Sequence, residues 1–265
     1  MWRSIAALML PLMAAPAAAA EELRPLCIDR PGLGTPACTI DHHHAAIELG
    51  LIDWTLQNDS ATRTDTIVAG DVLLRYGLGQ QLEAQLGWTA YGHVRKRERT
   101  NDTTRGVSRT GDMTVAIRRN LVHPDGSGFS IALMPRASLP VGQTPLGAGD
   151  WGAGLLIPMS VALSDTLSLA TTPEVDAAVD RDGNGRHAAY AAVLGLGIAL
   201  TEAIGATAEV SAFHDDDPAG AATTTLAGLC FAWQPRADLQ LDVGSVVGLH
   251  DAPDVELLLG IAQRF

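Results

Sequence analysis

The chain has 265 residues, 47% of them hydrophobic, with 30 acidic against 18 basic side chains and a formal net charge of −12. Such a negative surface argues against a nucleic-acid partner, and no stretch after residue 20 is apolar over the length of a transmembrane helix. The length suits two small domains or one large all-β unit. In either case the fold has to keep a large apolar surface away from water.

Residues 1–20 have the layout of a secretory signal peptide. Arg3 precedes an apolar run that is too short to span a bilayer, and small residues lead to the first acidic position, Glu21. We expect cleavage after Ala20. Cys27 follows the polar segment EELRPL and not the apolar run, so lipid anchoring at this cysteine is not expected. The mature chain should lie in the periplasm or in an outer membrane.

Residues 21–43 are predicted to be a periplasmic leader, with the stretch CIDRPGLGTPACTIDHHH from residue 27 to residue 44. Its cysteines and histidines suggest either a metal site or a disulfide. An oxidising compartment favours a disulfide between Cys27 and Cys38, which leaves Cys230 as a free thiol. Three adjacent histidines lack the spacing of a structural zinc motif. We therefore predict a disulfide, with no metal and no cofactor.

From residue 44 onward, apolar and polar side chains alternate in segments of about ten residues, the pattern of a strand with one face in each environment. The last segment, DVELLLGIAQRF, shows this most clearly. Twelve segments are predicted, at residues 44–55, 64–76, 81–93, 107–121, 128–140, 151–163, 166–178, 187–200, 203–214, 222–234, 237–248 and 254–265.

The connections differ between the two ends of these segments. Short, turn-like connections such as GLGQ and TEA follow the even-numbered segments, whereas longer or more charged ones such as RKRERTNDTTR and HDDDPAG follow the odd-numbered ones. This asymmetry is typical of an outer-membrane barrel. The predicted fold is therefore an all-β, transmembrane, antiparallel up-and-down β-barrel of 12 strands over residues 44–265. The alternative is a soluble sandwich, which buries the same face between two sheets.

The aromatic residues after the signal peptide fall near predicted strand ends, as the two aromatic girdles of a membrane barrel require. A closed barrel also accounts for the large apolar surface, because its outward face contacts outer-membrane lipid. Trp54, Trp88, Tyr91, Trp151, Tyr190 and Phe213 lie toward the predicted loops, and Tyr76, Phe129, Phe231, Trp233 and Phe265 lie toward the predicted turns.

Four features together resemble a known family: the leading CIDRPGLGTPACTI, the strand that begins near AIELGL, the twelve-segment pattern and the terminal Phe265. Over essentially the whole mature sequence, the chain resembles the outer-membrane transporters of the MetA-pathway phenol-degradation family. The resemblance implies passage of small, often aromatic or apolar, molecules across the outer membrane of a Gram-negative bacterium, and it carries over no catalytic residue. The closing strand also resembles the signal that barrel-assembly machinery recognises in its clients.

One face of the alternating segments collects charged side chains, which are predicted to line the lumen. Charges of both signs could pair and fill the lumen, or could line a wet path, and both interpretations stay open. If a pore exists, the excess of acids should disfavour anions. The predicted lumen-lining residues are Glu48, Asp71, Arg75, Glu83, Arg118, Arg136, Glu174, Asp176, Glu209, Asp238, Asp242, Glu256 and Arg264.

Two predicted outer loops have sequences that suggest ligands. DRDGNG, residues 180–185, matches the first positions of a calcium-binding loop, but Ala191 stands where the closing glutamate is required, so a polar tight loop is favoured. RKRER, residues 95–99, could contact phosphates of lipopolysaccharide. The alternative is that this run of charged residues is an ordinary solvent-exposed loop.

The alternative function is a barrel enzyme that acts on lipid, of the phospholipase or lipid A hydrolase type, and behind it a structural barrel. Such an enzyme needs a serine, a histidine within reach and an orienting group. His93, His187, His214 and His250 lie near the predicted outer end, with Ser60 and Ser108 in neighbouring loops, but no pair has recognisable motif spacing. We therefore predict a channel or transporter for a small-molecule substrate, not an enzyme, with no catalytic residues.

Overall fold

A computed structural model describes residues 23–265 of the chain. The predicted signal peptide, residues 1–20, lies outside the described residues. None of the described residues forms a helix that is long and apolar enough to cross a membrane. The strands of the described part are β1 (Ala45–Asn58), β2 (Thr62–Gly79), β3 (Leu82–Glu98), β4 (Thr103–Arg109), β5 (Met113–Val122), β6 (Phe129–Leu139), β7 (Gly152–Leu156), β8 (Met159–Ala162), β9 (Leu167–Val179), β10 (Arg186–Ala199), β11 (Ile204–Asp215), β12 (Ala222–Arg236), β13 (Leu239–His250) and β14 (Val255–Arg264).

The strands form one antiparallel sheet that closes on itself, because β1 pairs with β14 as well as with β2. β4 and β5 both pair with β3, and β7 and β8 both lie between β6 and β9. Each of these two pairs is therefore one interrupted strand of the ring. The prediction of an all-β barrel of 12 strands is confirmed.

Both interruptions have a local cause. Pro158 follows β7 and has no backbone N–H for the ladder, and the preceding Ile157 N–H donates instead to the carbonyl of Pro173 at 2.9 Å. Between β4 and β5, the carboxylate of Asp112 accepts the backbone N–H groups of Gly142 at 2.9 Å and Ala148 at 2.7 Å. The chain leaves the ladder there to hold the loop at residues 140–151.

The prediction that RKRERTNDTTR forms one long loop is wrong. Residues 95–98 continue β3, and residues 103–105 begin β4, so only a four-residue turn at 99–102 separates the two strands. Thr103 and Thr104 favour an extended backbone because their side chains are β-branched. β2, β3 and β4 thus form a hairpin extension at the loop end of the barrel, in which β4 pairs with β3 alone.

The two faces of the ring differ as a membrane barrel requires. Large apolar side chains such as Leu229, Val243 and Leu257 point outward and are exposed. Ten of the eleven aromatic side chains after residue 22 are also exposed, and one of these, Phe213, lines the lumen beside Arg136 and Asp176. Trp54, the remaining one, donates its indole N–H to Asp65. The inward face carries buried charges, including Arg75 and Glu83. Apolar groups outside and charges inside place lipid around the ring and a polar lumen within it.

Candidate functional site in the barrel lumen

The leader lies inside the barrel, a position that the sequence did not predict. It enters where the chain ends meet: the His43 N–H donates to the carbonyl of Gly77 at 2.9 Å, and Ala45 exchanges backbone hydrogen bonds with Phe265 at 2.8 and 3.1 Å. From this end its backbone reaches side chains of strands on opposite sides of the ring, among them Glu48 of β1 and Glu209 of β11. The leader therefore crosses the lumen.

Arg75 is the centre of a buried cluster that holds the leader. Its guanidinium donates to the carbonyl of Cys27 at 2.8 Å, to Glu48 at 2.9 Å and to Glu83 at 3.0 Å. The side chains of Arg75, Glu48 and Glu83 are fully inaccessible to solvent. Buried charges are tolerated only when they are paired and hydrogen-bonded. The wall charges and the leader backbone therefore depend on one another.

A second arginine, Arg118, extends this cluster. It lies 2.6 Å from Asp29 and donates to the carbonyl of Cys38 at 3.2 Å. Asp29 is also 2.9 Å from Arg75, so one leader carboxylate joins the two wall arginines. The predicted disulfide between Cys27 and Cys38 is confirmed. Both of its cysteines have their carbonyls bound by these arginines, so the disulfide is fixed to one side of the wall.

Residues 27–38, closed by the disulfide, are called the leader loop, and residues 31–36 within it are called the tip. The tip reaches the opposite wall. The N–H groups of Leu33 and Gly34 donate to the two carboxylate oxygens of Glu209 at 2.6 and 3.0 Å. The Thr172 hydroxyl accepts the N–H of Thr35 at 3.0 Å. Glu209, on β11, is buried.

Arg30 lies between the base and the tip of the leader loop. Its guanidinium is 3.4 Å from Asp53 on β1 and 3.4 Å from Asp242 on β13. Cys230 of β12 donates its thiol to the carbonyl of Pro31 at 3.4 Å and is a free, buried cysteine. The leader loop thus contacts the wall at its base, at Arg30 and at its tip.

A cavity of about 160 Å³ remains between the leader loop and the strands β9, β10 and β11. Val193, Ala170 and Pro36 give it apolar walls, and Thr172 and Glu209 supply polar groups. An apolar protein cavity of about 150 Å³ is large enough for one benzene molecule. The gap beside the tip is therefore the size of a single ring.

Seven of the thirteen predicted lumen-lining residues contact the leader, and three others form a group apart from it. Arg136 pairs with Glu174 and lies 3.1 Å from Asp176, in the part of the lumen beyond the leader loop. The seven residues in contact with the leader are Glu48, Arg75, Glu83, Arg118, Glu209, Asp242 and Arg264.

The remaining three predicted lumen positions differ in their surroundings. Asp71 accepts a hydrogen bond from the hydroxyl of Thr89 at 2.8 Å. Glu256 is half-buried on β14. Asp238 lies in the turn between β12 and β13, where its exposed carboxylate is 3.1 Å from Arg236. The structure thus places Asp238 at the rim of the barrel, since strand alternation no longer determines a side chain's direction in the turn.

Four charged residues in contact within the lumen were missed by the sequence prediction. Asp29, Arg30 and Asp41 belong to the leader, whose entry into the lumen left no pattern in the sequence. Asp53 of β1 was missed for a different reason. The β1–β14 register shifts between Gly50 and Ile52, and a bulge of this kind reverses which alternate side chains point inward. Strict alternation from Glu48 would have pointed Asp53 at the lipid.

A cluster of histidine, aspartate and arginine side chains lies at the loop end of the barrel. It contains residues from the predicted loops DRDGNG and HDDDPAG. His187, Asp215 and Asp217 present potential metal-ligating atoms within 4.8 Å of one another. However, the two ring nitrogens of His187 already contact Asp180, at 2.8 Å, and Asp215. Burial acts to raise the pKa of Asp217, but backbone N–H donors, from Ala219 first, hold that pKa below its ordinary value.

The same cluster also contains a cation of the protein's own. The guanidinium of Arg181 is 3.7 Å from Asp215 and 3.9 Å from Asp217. Together with the imidazole of His187, it neutralises carboxylates that a metal ion would need. The cluster therefore joins the β9–β10 loop to the β11–β12 loop, and the geometry favours this structural role over a metal site.

One serine–histidine pair considered for an enzyme does come together. His93 Nδ1 is 2.9 Å from the hydroxyl of Ser108, and the phenol oxygen of Tyr91 is 3.2 Å from the same hydroxyl. The pair lies on the exposed hairpin extension. Within residues 23–265, the other ring nitrogen of His93 has no hydrogen-bond partner that would orient it, so the arrangement lacks the third group of a catalytic triad.

Comparison with known proteins places the chain in a family. The sequence matches, over residues 28–264, the family described as "Putative MetA-pathway of phenol degradation". The chain belongs to this family. The match covers residues 28–38 of the leader loop and the whole barrel. No curated protein matches the sequence.

Solved structures similar to this MetA-pathway family member are barrels. The transport unit of the autotransporter AIDA-I from Escherichia coli has a TM-score of 0.52 at 9% identity, covering 84% of this chain and 90% of that one. The KdgM porin in complex with disordered oligogalacturonate has a TM-score of 0.50 at 9% identity, covering 81% and 98%. The CymD monoaromatic hydrocarbon channel has a TM-score of 0.40 at 10% identity, covering 85% and 88%. At these identities the first two structures show only a shared fold. The TM-score of the third is too low for any conclusion to be drawn from it.

Proposed function

We propose that the protein is an outer-membrane channel for small molecules in a Gram-negative bacterium, with the leader at the periplasmic end of the lumen. The observation that carries the proposal is the closed ring with apolar side chains outside and charged side chains inside. A ring of this kind is stable in lipid because each of its 12 strands, with β4 and β5 counted as one and β7 and β8 as one, has two neighbours. Membership of the MetA-pathway family supports the same function.

The leader limits the size of what passes, and the lumen charges limit its sign. Only a gap of about 160 Å³ lies beside the tip. Beyond the leader loop, Glu174 and Asp176 outnumber Arg136 as lumen charges. An excess of carboxylates attracts cations and repels anions. We infer that neutral and cationic molecules of about one ring pass more readily than anions of the same size.

Swelling of proteoliposomes tests the channel. Arabinose, benzyltrimethylammonium and benzenesulfonate offer a neutral, a cationic and an anionic solute of similar size. Swelling should be fast with the first two and slow with the third. Absence of swelling with all three, from protein that migrates as a folded barrel on an unheated gel, would overturn the channel. Recovery of the protein in the periplasmic fraction without detergent would overturn its place in the membrane.

We further propose that the hairpin extension contacts phosphates of lipopolysaccharide. The extension carries seven of the chain's 18 basic residues, and only Arg63 and Arg97 of these form an ion pair within the described part of the chain. Basic side chains pair strongly with phosphate. The full set is Arg63, Arg95, Lys96, Arg97, Arg99, Arg105 and Arg109.

A triple variant, Arg95→Gln/Lys96→Gln/Arg105→Gln, tests this contact. It should bind vesicles that contain lipid A less tightly than the unmodified protein does, and the difference should vanish with dephosphorylated lipid A. Arg236→Gln removes one exposed cation at the opposite rim and is the control. Equal binding by the triple variant would refute the contact.

We also propose that the closing strand carries the recognition signal for barrel-assembly machinery. Phe265 follows β14 and is the most exposed large apolar side chain of the described chain, at 65%. Phe265→Ala should lower the amount of folded protein in the outer membrane, whereas Phe265→Tyr keeps an aromatic ring and should not. Equal yields of the two variants would refute the proposal.

An enzyme is the second candidate function, and the contact between His93 and Ser108 is the observation that favours it. Phospholipid or lipid A hydrolysis by the purified protein, lost in Ser108→Ala and retained in Ser60→Ala, would establish the enzyme. Hydrolysis that is absent, or that survives in Ser108→Ala, would leave the channel as the function of this fold. We favour the channel because His93 has no orienting partner within the described residues.

A further inference from the structure

The leader loop is held unequally at its two ends. At its base, Cys27 and Ala37 are buried, and so are Thr39 and Ile40, which follow the loop, whereas Cys38 is partly exposed. The six residues of the tip are all partly exposed. The base is therefore packed as a protein interior is, whereas the tip is bordered by open lumen.

The charges show the same difference. The base is held by two fully buried arginines, Arg75 and Arg118, and separating either from its carboxylates would leave unpaired charges in the interior. The tip is held by neutral N–H donors to Glu209 and by a reciprocal pair of hydrogen bonds between Thr35 and Thr172. Groups that leave such bonds at the edge of a wet lumen can bind water in their place.

The wall opposite the tip is shaped to receive it closely. A β-carbon on Gly32 would lie 2.9 Å from the carboxylate of Glu209, closer than real β-carbons approach a neighbour. The Leu33 side chain lies 3.5 Å from the position of a β-carbon on Gly228 of β12. The tip thus fits against β9–β12 with no space for a solute between its backbone and Glu209, and this contact forms part of the wall of the 160 Å³ cavity.

We propose that the tip is the movable gate of the lumen and that Glu209, with Thr172, is its latch. The inference rests on the proposed channel function. In the open state the tip leaves Glu209 and Thr172 and joins the cavity to the rest of the lumen. The disulfide and the arginine cluster keep the base of the leader loop in place, so that only residues 31–36 move.

A crosslink between the tip and the wall tests the gate. The β-carbon position of Gly34 lies 3.4 Å from Cγ1 of Val193, so side chains at the two positions are in van der Waals contact and cysteines there can be tested for a crosslink. Gly34→Cys/Val193→Cys is made in a Cys230→Ala background, which removes the free thiol. After oxidation, with the crosslink verified by mass spectrometry, arabinose swelling should fall at least tenfold. The two single-cysteine variants, oxidised in the same way, should swell like the background protein.

Weakening the latch gives an independent readout. Glu209→Ala should raise the rate of arabinose swelling at least twofold, because two N–H donors of the tip lose their acceptor. Glu202→Gln removes one exposed carboxylate from the turn before β11 and is the matched control. Heat-modifiable gel mobility shows whether each variant is folded.

The possible outcomes separate the gate from the channel. If the background protein does not swell with arabinose, the channel function fails. If the background protein swells and the verified crosslink leaves its rate unchanged, the tip does not move during permeation and the gate fails. If the folded Glu209→Ala variant swells no faster than Glu202→Gln, Glu209 is not the latch.

Discussion

Gly77 on β2 lies directly against the backbone of Asp41 in the leader. A β-carbon at residue 77 would overlap the carbonyl oxygen of Asp41 and lie 2.7 Å from its carbonyl carbon. The Gly77 N–H and carbonyl also bond to the leader, at His44 and His43. The absence of a side chain at this one wall position is therefore what lets the leader enter beside β2.

Gly77→Ala should displace the leader without breaking the ring. A new methyl group in a filled space costs about 1–3 kcal/mol of the free energy of unfolding. Gly79→Ala on the same strand is the control, since a β-carbon there would meet its nearest neighbour, on Leu82, only at 3.9 Å. Urea unfolding in micelles, followed by tryptophan fluorescence, measures both variants. Equal midpoints would contradict the close approach.

Arg75→Met should be among the most destabilising single substitutions in the lumen. It leaves Glu48 and Glu83 buried without their main cation, and removing one partner of a buried pair costs about 3–5 kcal/mol. Arg236→Met breaks an exposed pair with Asp238 and should cost about 0–1 kcal/mol. The same urea titration compares them, and a loss below 1 kcal/mol at Arg75 would show that water reaches the cluster.

Loss of the leader disulfide should loosen the leader more than the barrel. Replacing Cys27 and Cys38 by alanine removes a constraint on the unfolded chain worth about 3 kcal/mol for a loop of this length, whereas the strand ladders are untouched. Proteolysis within residues 27–38 should accelerate while heat-modifiable mobility persists. Reducing the unmodified protein should reproduce the effect, and reducing the double variant should add nothing. Unchanged protection after reduction would show that the arginine cluster alone suffices.

Glu174→Gln/Asp176→Asn should weaken the preference for cations. The two carboxylates face Arg136 in the open part of the lumen, so their removal leaves that cation unbalanced and favours anions. The reversal potential across a planar bilayer under a potassium chloride gradient should shift toward the chloride value. Asp182→Asn, in the β9–β10 loop, serves for comparison, and an equal shift in both variants would place the selectivity outside the lumen.

The barrel could be predicted from the sequence because its signal repeats. Alternation with a period of two places Leu257 and Leu259 outside and Glu256 inside, and the same rule holds from strand to strand. The rule fails where the backbone departs from a regular ladder. Gly50 and Ile52 mark a bulge that turns Asp53 inward, and Pro158 divides a predicted strand into β7 and β8.

Of the leader's structure, only the disulfide could be predicted from the sequence. Cys27 and Cys38 in an oxidising compartment indicate a disulfide from their identity alone. Its entry into the lumen depends on contacts such as that between Leu33 and Glu209, which are 176 residues apart in the chain. No periodic pattern indicates such a contact, because the leader forms no regular strand that would impose a period on its side chains.

The leader contacts strands all around the ring. The leader forms hydrogen bonds to side chains of nine strands, from β1 through β14. Arg264 of β14 contacts the leader, so the leader's contacts are complete only when β14 is paired with β1. The leader thus ties together the two sides of the seam between β1 and β14 from inside the lumen, through Glu48 of β1 and Arg264 of β14.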